Sequence, residues 1–458
     1  MGSEALLRGL MKKVVTFTLA AAAATQLSHV TFAKELDFAR PNIVFVLADD
    51  MGWGDLACYG NQKAHTPHID RLAAEGIRFE QFYAASPVCS PSRVGATTGM
   101  YPERWRIRSF LQTQFNNYML GQANYLDPNA PTLARTLRNA GYATAHFGKW
   151  HMGGGRDVYD APLPSAYGFD EHRVNIEGLG PRFAQVPGNS NFAVSTADVV
   201  DATLDFLKRH PDQPCYVNLW PSDVHTPHVP TEATRAKYAA LGYNLQRQNF
   251  YGNLEEFDQQ IGRFLKGLDE LGIAEKTLVI FVGDNGPLPL LAGERTGSMR
   301  GGKGSLYEGG IRVPGIVRWK GRIEPGQVNT QTVFSTLDLL PSLCAIAEVA
   351  LPAGVTFDGE DLSAALLGEQ LRRTHPLFWE YGHMQDYYPR PPSATDQSPT
   401  LAVRDGDWKL LVNTDGSGAE LYNIGSSRFE FRDLAGDYPE ITARLSQMVR
   451  DWYAEVRH

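Results

Sequence analysis

Cysteine is scarce in this chain: four in 458 residues, at Cys58, Cys89, Cys215 and Cys344. Thiols so few and so widely spaced exclude a disulfide-stapled framework, so the core must come from hydrophobic burial. An excess of basic charge is missing too. Lys and Arg number 43 against 51 Asp and Glu, a formal net charge of −8, which offers no electrostatic footprint for nucleic acid. No apolar run is long enough to span a bilayer, which takes ~20 residues, so no integral membrane segment is expected. Internal repeats, low-complexity tracts and long linkers are absent as well.

What is present begins with a targeting pattern. Lys12-Lys13 precede an apolar run over 14–24, and Thr31-Phe32-Ala33 offers small residues for cleavage. Residues 1–33 read as a secretory signal peptide, with Met11 a second candidate start, and predict a periplasmic or secreted protein. Its removal takes the net charge from −8 to −10. The rest divides into a large α/β domain over 34–353 and a smaller C-terminal α+β subdomain over 354–458.

Apolar, β-branched runs at Asn42–Ala48, Ile77–Tyr83, 142–147, Cys215–Trp220 and 277–282 read as strands. Several lack polar alternation, as strands buried on both faces do. Helical patterns intervene at 66–76, 132–139, 195–208 and 251–268, so the fold class is α/β, a large sheet sandwiched by helices. Past residue 354, short strands at 400–404, Trp408–Val412 and 421–424 are punctuated by Asp405-Gly406-Asp407 and Asp415-Gly416-Ser417-Gly418, which are hairpin signals. A helix from Pro439 closes the chain, with Ile441, Leu445, Met448, Trp452 and Val456 on one face.

Four strands end in polar groups: Asp49-Asp50, Lys149-Trp150-His151, His225-Thr226-Pro227-His228 and Asp284-Asn285. If the strands are parallel, these lie along one sheet edge, where α/β folds place ligands. Asp49, Asp50, Asp284 and Asn285 are hard oxygen donors, suited to Ca²⁺ or Mg²⁺ and not to zinc. Lys149, His151, His225, Lys303 and Arg93 supply cations and imidazoles for a tetrahedral oxyanion, sulfate or phosphate. Singly, an Asp-Asp pair is often a helix cap and a histidine often satisfied structure. Their recurrence on successive strand ends argues for a site.

The stretch Ser86-Pro87-Val88-Cys89-Ser90-Pro91-Ser92-Arg93 is the most constrained. Two prolines predict an extended loop, with a helix starting near Ser92. A thiol beside a cation and close to a helix N-terminus is drawn toward the thiolate; the plain alternative is a small buried hydrophobe. Cys58, Cys215 and Cys344 sit in apolar contexts and read as packing residues.

Cys89-Ser90-Pro91-Ser92-Arg93 with Thr98-Gly99 resembles the signature of type I, formylglycine-dependent sulfatases. So do Leu47-Ala48-Asp49-Asp50-Met51-Gly52-Trp53-Gly54-Asp55, Gly148-Lys149-Trp150-His151-Met152-Gly153, Gly283-Asp284-Asn285-Gly286, and Gly302-Lys303-Gly304 with Glu308-Gly309-Gly310-Ile311-Arg312-Val313-Pro314. The resemblance implies an alkaline-phosphatase-like fold. It also implies that Cys89 is oxidised by a maturation enzyme to Cα-formylglycine, whose hydrate is the nucleophile. Asp49, Asp50, Asp284, Asn285 and the modified Cys89 would hold Ca²⁺, and Arg93 would stabilise the hydrate. Lys149, His225 and Lys303 would contact the sulfate, His225 or Lys303 would protonate the leaving alcohol, and His151 would act as base to eliminate sulfate. His228 would be a supporting residue. The implied substrate is a sulfated saccharide, as in N-acetylgalactosamine-6-sulfatase-like members, or an aryl sulfate. Arg104, Trp105, Arg106, His383 and Tyr388 are candidates for the pocket beyond the sulfate. Two alternatives stand beside this reading. One is a phosphodiesterase or phosphonate hydrolase on the same scaffold. The other is a non-catalytic secreted sugar-binding protein, if Cys89 stays unmodified.

Overall fold

Strand β1 (Asn42–Ala48) shows why its sequence is continuously apolar. Ile43, Phe45 and Leu47 enter one hydrophobic cluster, while Val44, Val46 and Ala48 enter another on the opposite face, following the two-residue period of a strand. The computed structural model to which this belongs describes residues 40–175, 195–382 and 388–457. The predicted signal segment, residues 1–33, lies outside the described residues, as does His383.

Around β1 run β2 (Ile77–Tyr83), β3 (Ala143–Lys149), β4 (Glu171–Asn175), β5 (Cys215–Trp220), β6 (Thr277–Gly283), β7 (Arg312–Arg318), β8 (Gln327–Asn329) and β9 (Phe334–Ser335). Among the described residues they form one nine-stranded sheet in the order β4-β3-β5-β1-β6-β7-β2-β8, with β9 also on β2. The run β4-β3-β5-β1-β6 is parallel, and β7 is antiparallel to both neighbours. The register pairs Ala48 with Gly283 and Gly148 with Trp220. The strand ends carrying Asp49, Asp284, Lys149 and the residues after Trp220 therefore share one edge.

Helices α1 (Pro67–Ala74), α3 (Thr196–Arg209) and α4 (Leu245–Glu270) cover one face, and α2 (Cys89–Thr98) packs on the other. Two helices begin earlier than the sequence suggests. Helix α2 starts at Cys89, not near Ser92, because first-turn N–H groups have no intrahelical acceptor and Pro91, in that turn, breaks no bond. Helix α4 starts at Leu245, where the Asn244 side chain accepts from the Arg247 N–H at 3.0 Å, a cap ahead of a polar first turn that carries little apolar periodicity.

A second sheet, β10 (Leu377–Glu380), β11 (Leu401–Asp405), β12 (Trp408–Val412) and β13 (Glu420–Asn423), is antiparallel throughout. Helix α5 (Pro439–Val456) buries Leu445, Val449, Trp452, Tyr453 and Val456 against that region; Ile441 and Met448 are only partly buried. Among the described residues no helix is long and apolar enough to cross a membrane.

Candidate active site

The edge residues are held by their own motifs. Asp55 accepts from the Gly52 N–H at 2.8 Å and pairs with Arg295 at 2.8 Å, while Arg295 Nη2 donates to the Asp50 carbonyl at 2.7 Å. This clamp holds Asp50 at φ +57°, a conformation costly for a non-glycine residue and typical of functional sites. His151 is at φ +48°. Gly148 is required at the end of β3, since a Cβ there would lie 2.1 Å from the Trp220 carbonyl oxygen.

The structure brings the predicted acids and cations together. Lys149 Nζ lies 2.9 and 2.7 Å from the two Asp49 oxygens, and Arg93 Nη2 lies 3.2 Å from Asp49 and 2.7 Å from Asp284. Lys303 Nζ is 2.6 Å from Asp50, and Asp284 accepts from the Asp50 N–H at 2.9 Å. Ser92 Oγ donates to the Asp284 carbonyl, which ties α2 to the end of β6. Burial alone would push the Asp49 carboxyl up, but Lys149, His225, Arg93 and Lys303 hold it well below the usual range. Asp284 moves the other way, to about 6, through burial and the nearby Asp49 charge, against Arg93.

Cys89 corrects one expectation. Burial pushes its thiol up to about 12 despite Lys149 and Lys303. As cysteine it is therefore a neutral thiol, and the cations beside it do not make it a thiolate nucleophile. Cys215 and Cys344 are buried as predicted, whereas Cys58 is only partly so.

Asp49, Asp50, Cys89 and His225 have ligand atoms all within 4.8 Å of one another. That tight group contains His225 and omits Asp284, whose carboxylate accepts from the Asp50 N–H and pairs with Arg93. Asn285 is tied to the group, its Nδ2 donating to Asp50 Oδ1 at 2.8 Å. Asn285 Oδ1 is buried without a hydrogen-bond partner. His225 donates from Nδ1 to the Thr226 carbonyl at 2.6 Å, which leaves Nε2 3.3 Å from Lys303 Nζ and 3.5 Å from Asp50. His228 Nε2 donates to the Val224 carbonyl at 2.9 Å, and burial lowers its pKa to about 4, as suits a neutral supporting residue. His151 is buried, with Nε2 3.4 Å from the Leu111 carbonyl and its ring 6.4 Å from that of Phe110.

A cavity of about 160 Å³ opens on Cys89 and Lys303; Phe110, Leu288, Pro289 and the stretch Pro389-Arg390-Pro391-Pro392 also line it. None of the described pocket candidates lines it. Arg104 pairs with Asp358 at 2.8 Å and Glu455 at 3.0 Å. Trp105 packs on the core, Arg106 ends a short turn in the left-handed region, and Tyr388 is buried against Tyr381 at 5.1 Å. Sequence reasoning missed Phe110 and Arg390. The proline-rich run after Tyr388 was a signal for Arg390; Phe110 had none.

It also missed His146 on β3. Asn218 Nδ2 donates to His146 Nδ1 at 3.2 Å, so Nε2–H faces the Lys149 carbonyl at 3.1 Å, which also accepts from Arg93 Nη1 at 3.1 Å. Burial lowers the His146 pKa to about 3, so it stays neutral and steadies Lys149 and Arg93.

Comparison with known proteins agrees with this geometry. A family profile described as Sulfatase matches residues 41–349, and one described as N-sulphoglucosamine sulphohydrolase, C-terminal, matches residues 302–455. Human arylsulfatase A is 34% identical over 425 residues, covering 85% of this chain and 78% of that protein. The N-acetylgalactosamine-6-O-sulfatase of Bacteroides thetaiotaomicron is 29% identical over 505 residues, covering 90% and 92%. A solved structure described under the metabolism of multiple glycosaminoglycans by Bacteroides thetaiotaomicron aligns with a TM-score of 0.73 at 26% identity, covering 91% of this chain and 100% of that one.

Proposed function

Because the chain belongs to the sulfatase family, an enzyme class that hydrolyses sulfate esters, we propose that it desulfates a carbohydrate at a centre built on Cys89. The observation that carries this reading is the convergence of Cys89 with three buried acids and with Lys149, Lys303 and Arg93 beside one cavity. Family membership favours an enzyme over the non-catalytic sugar-binding alternative, which applies if Cys89 stays unmodified.

A divalent cation, Ca²⁺ with Mg²⁺ as the alternative, fits the residues present. Asn285 Oδ1 is buried and unpartnered, the donors are hard oxygens, and crowding with Asp49 raises Asp284. Asp49, Asp50, Asp284 and Asn285 would hold it with the modified Cys89, and it would supply charge neutralisation and polarisation of an oxygen. Cα-formylglycine, made from Cys89 by a maturation enzyme, would supply the nucleophilic hydroxyl that the neutral thiol cannot.

The chain's own residues then divide the work. Lys149 and Lys303 grip the sulfate oxygens, and Arg93 neutralises charge at the nucleophile. His225 Nε2 and Lys303 Nζ, 3.3 Å apart, share the proton that goes to the leaving alcohol. His151 acts as base when sulfate departs: with Nε2–H on the Leu111 carbonyl, the basic atom is Nδ1. The signal pattern over 1–33 supports a periplasmic or secreted location. Names of relatives make N-acetylgalactosamine 6-sulfate the first substrate to try.

The test compares 4-nitrophenyl sulfate with bis(4-nitrophenyl) phosphate as substrates for the matured enzyme. Faster hydrolysis of the sulfate is expected. Preference for the phosphodiester would transfer the assignment to the phosphodiesterase reading.

A further inference from the structure

Arg390 is a cation beside the proposed site that faces no carboxylate among the described residues. Arg93, Arg295, Arg312 and Arg373 each face one within 3.1 Å, whereas Arg404, which also lacks an ion pair among the described residues, is closed off by hydrogen bonds to Tyr83 and Gln81. Arg390 lines the cavity over Cys89 and has no ion pair among the described residues; its hydrogen bond runs from Nη2 to the Gly382 carbonyl at 2.9 Å. A guanidinium carries five N–H donors in a fixed fork, so most remain for a ligand. Burial pushes its pKa down, opposed only by Tyr381, so the protein itself does little to stabilise this charge.

The position is nevertheless built. Tyr381 Oη donates to the Pro389 carbonyl at 2.8 Å. Gly382 is at φ +84°, and a Cβ there would lie 2.7 Å from Arg390 Nη2 and 2.9 Å from Nε, so glycine makes room for the guanidinium. A Cβ on Gly304 would lie 2.6 Å from the Pro389 carbonyl oxygen, so the Lys303 and Arg390 loops are in direct contact. The other walls, Phe110, Leu288 and the prolines, are apolar. Beyond the sulfate clamp, charge is therefore what this cavity can read. A second cation, Arg156, lies 5.8 Å from the Phe110 ring centre, also without an ion pair among the described residues.

We infer that Arg390 binds a second anionic group of the substrate, a sulfate or a carboxylate on the sulfated sugar or its neighbour, while Lys303 holds the sulfate being removed. This rests on the sulfatase reading of the same site. A planar guanidinium suits either oxyanion through paired N–H donors.

The experiment uses matured full-length enzyme and three sugars: N-acetylgalactosamine 6-sulfate, its 4,6-disulfate, and a uronate-linked disaccharide carrying the 6-sulfate. Each is tested as substrate and as competitive inhibitor of 4-nitrophenyl sulfate hydrolysis. The native enzyme is expected to favour a sugar with the second anion. Arg390→Met should shrink that preference about 10- to 100-fold, chiefly through KM or Ki, and Arg390→Lys, keeping the charge without the fork, should shrink it less. A loss confined to the disulfate identifies the second anion as sulfate, and one confined to the uronate sugar as carboxylate. No preference in the native enzyme, or an equal change on all three sugars in both variants, overturns the inference while 4-nitrophenyl sulfate turnover leaves the sulfatase reading standing. Failure of the matured enzyme on every sulfate ester would overturn that reading and this one with it.

Discussion

The strand-end cluster and the one around Glu308 are both made of buried ions, yet they are finished differently. Glu308 meets Lys409 at 2.9 Å and Arg312 at 3.1 Å, and accepts from Tyr83 Oη at 2.7 Å; Lys409 also meets Glu430 at 2.8 Å. The Glu308 N–H donates to Glu430 at 2.6 Å. Burial would push Glu308 up, but Lys409 and Arg312 hold it to about 2, while Glu430 rises to about 7. These groups pin the end of β2 and the turn before β7 to β12 in the second sheet, and none of them lines the cavity. At the strand ends, by contrast, Cys89 and Lys303 face the cavity, and the Asn285 oxygen has neither a hydrogen bond nor an ion pair among the described residues. Buried charge alone does not mark a site. Unfinished coordination beside a cavity does.

Substitutions should separate the two clusters. The largest effect is expected from Cys89→Ala, which should lower turnover of 4-nitrophenyl sulfate by at least ~10⁴-fold while shifting stability by only about 1 kcal/mol; retained turnover would dissolve the distinction. Next, Glu308→Gln removes the carboxylate that Arg312 faces and one of the two that Lys409 faces, and should cost about 3–5 kcal/mol in urea unfolding, with turnover per folded molecule largely kept.

A pH series gives the third prediction. Glu430 titrates near 7 in the folded state against about 4.3 unfolded. The folded state therefore binds the proton more tightly. Its contribution is fully present below pH ~4 and is lost as pH rises through 7, of the order of 1–3 kcal/mol. Thermal unfolding between pH 4 and 8 should show this decline, and Glu430→Gln should reduce it, leaving the part contributed by Asp258, raised to about 7, and Asp284, raised to about 6. Glu308, held low, acts in the opposite sense but only below pH ~4. The smallest effect is expected from Arg104→Ala, about 1 kcal/mol from a partly exposed pair, with kcat/KM unchanged within about twofold. A larger kinetic loss would return Arg104 to the substrate pocket.

The parallel sheet and its strand-end acids were legible because a doubly buried strand writes an unbroken apolar run, and a strand end at the sheet edge breaks it abruptly with Asp49-Asp50 or Asp284-Asn285. The state of Cys89 was not legible. Local sequence displays Arg93 and a helix start, but the thiol's protonation is set by burial beneath loops distant in the chain. Glu308 stood out as a motif residue without a role, since Lys409 and Glu430 lie about 100 residues away. His146 was hidden for a similar reason: inside a strand it reads as filler, and only the β3–β5 register, which pairs it with Asn218, gives it a task.

At position 89 we propose that the working enzyme carries an aldehyde in place of the thiol. The direct measurement is the mass of the tryptic peptide spanning residues 79–93 from enzyme purified from its native host and shown to cleave a sulfate ester. The expected peptide is lightened by the exchange of one sulfur and two hydrogens for one oxygen, the change from thiol to aldehyde. A peptide with Cys89 intact, in protein that turns over substrate, would contradict it.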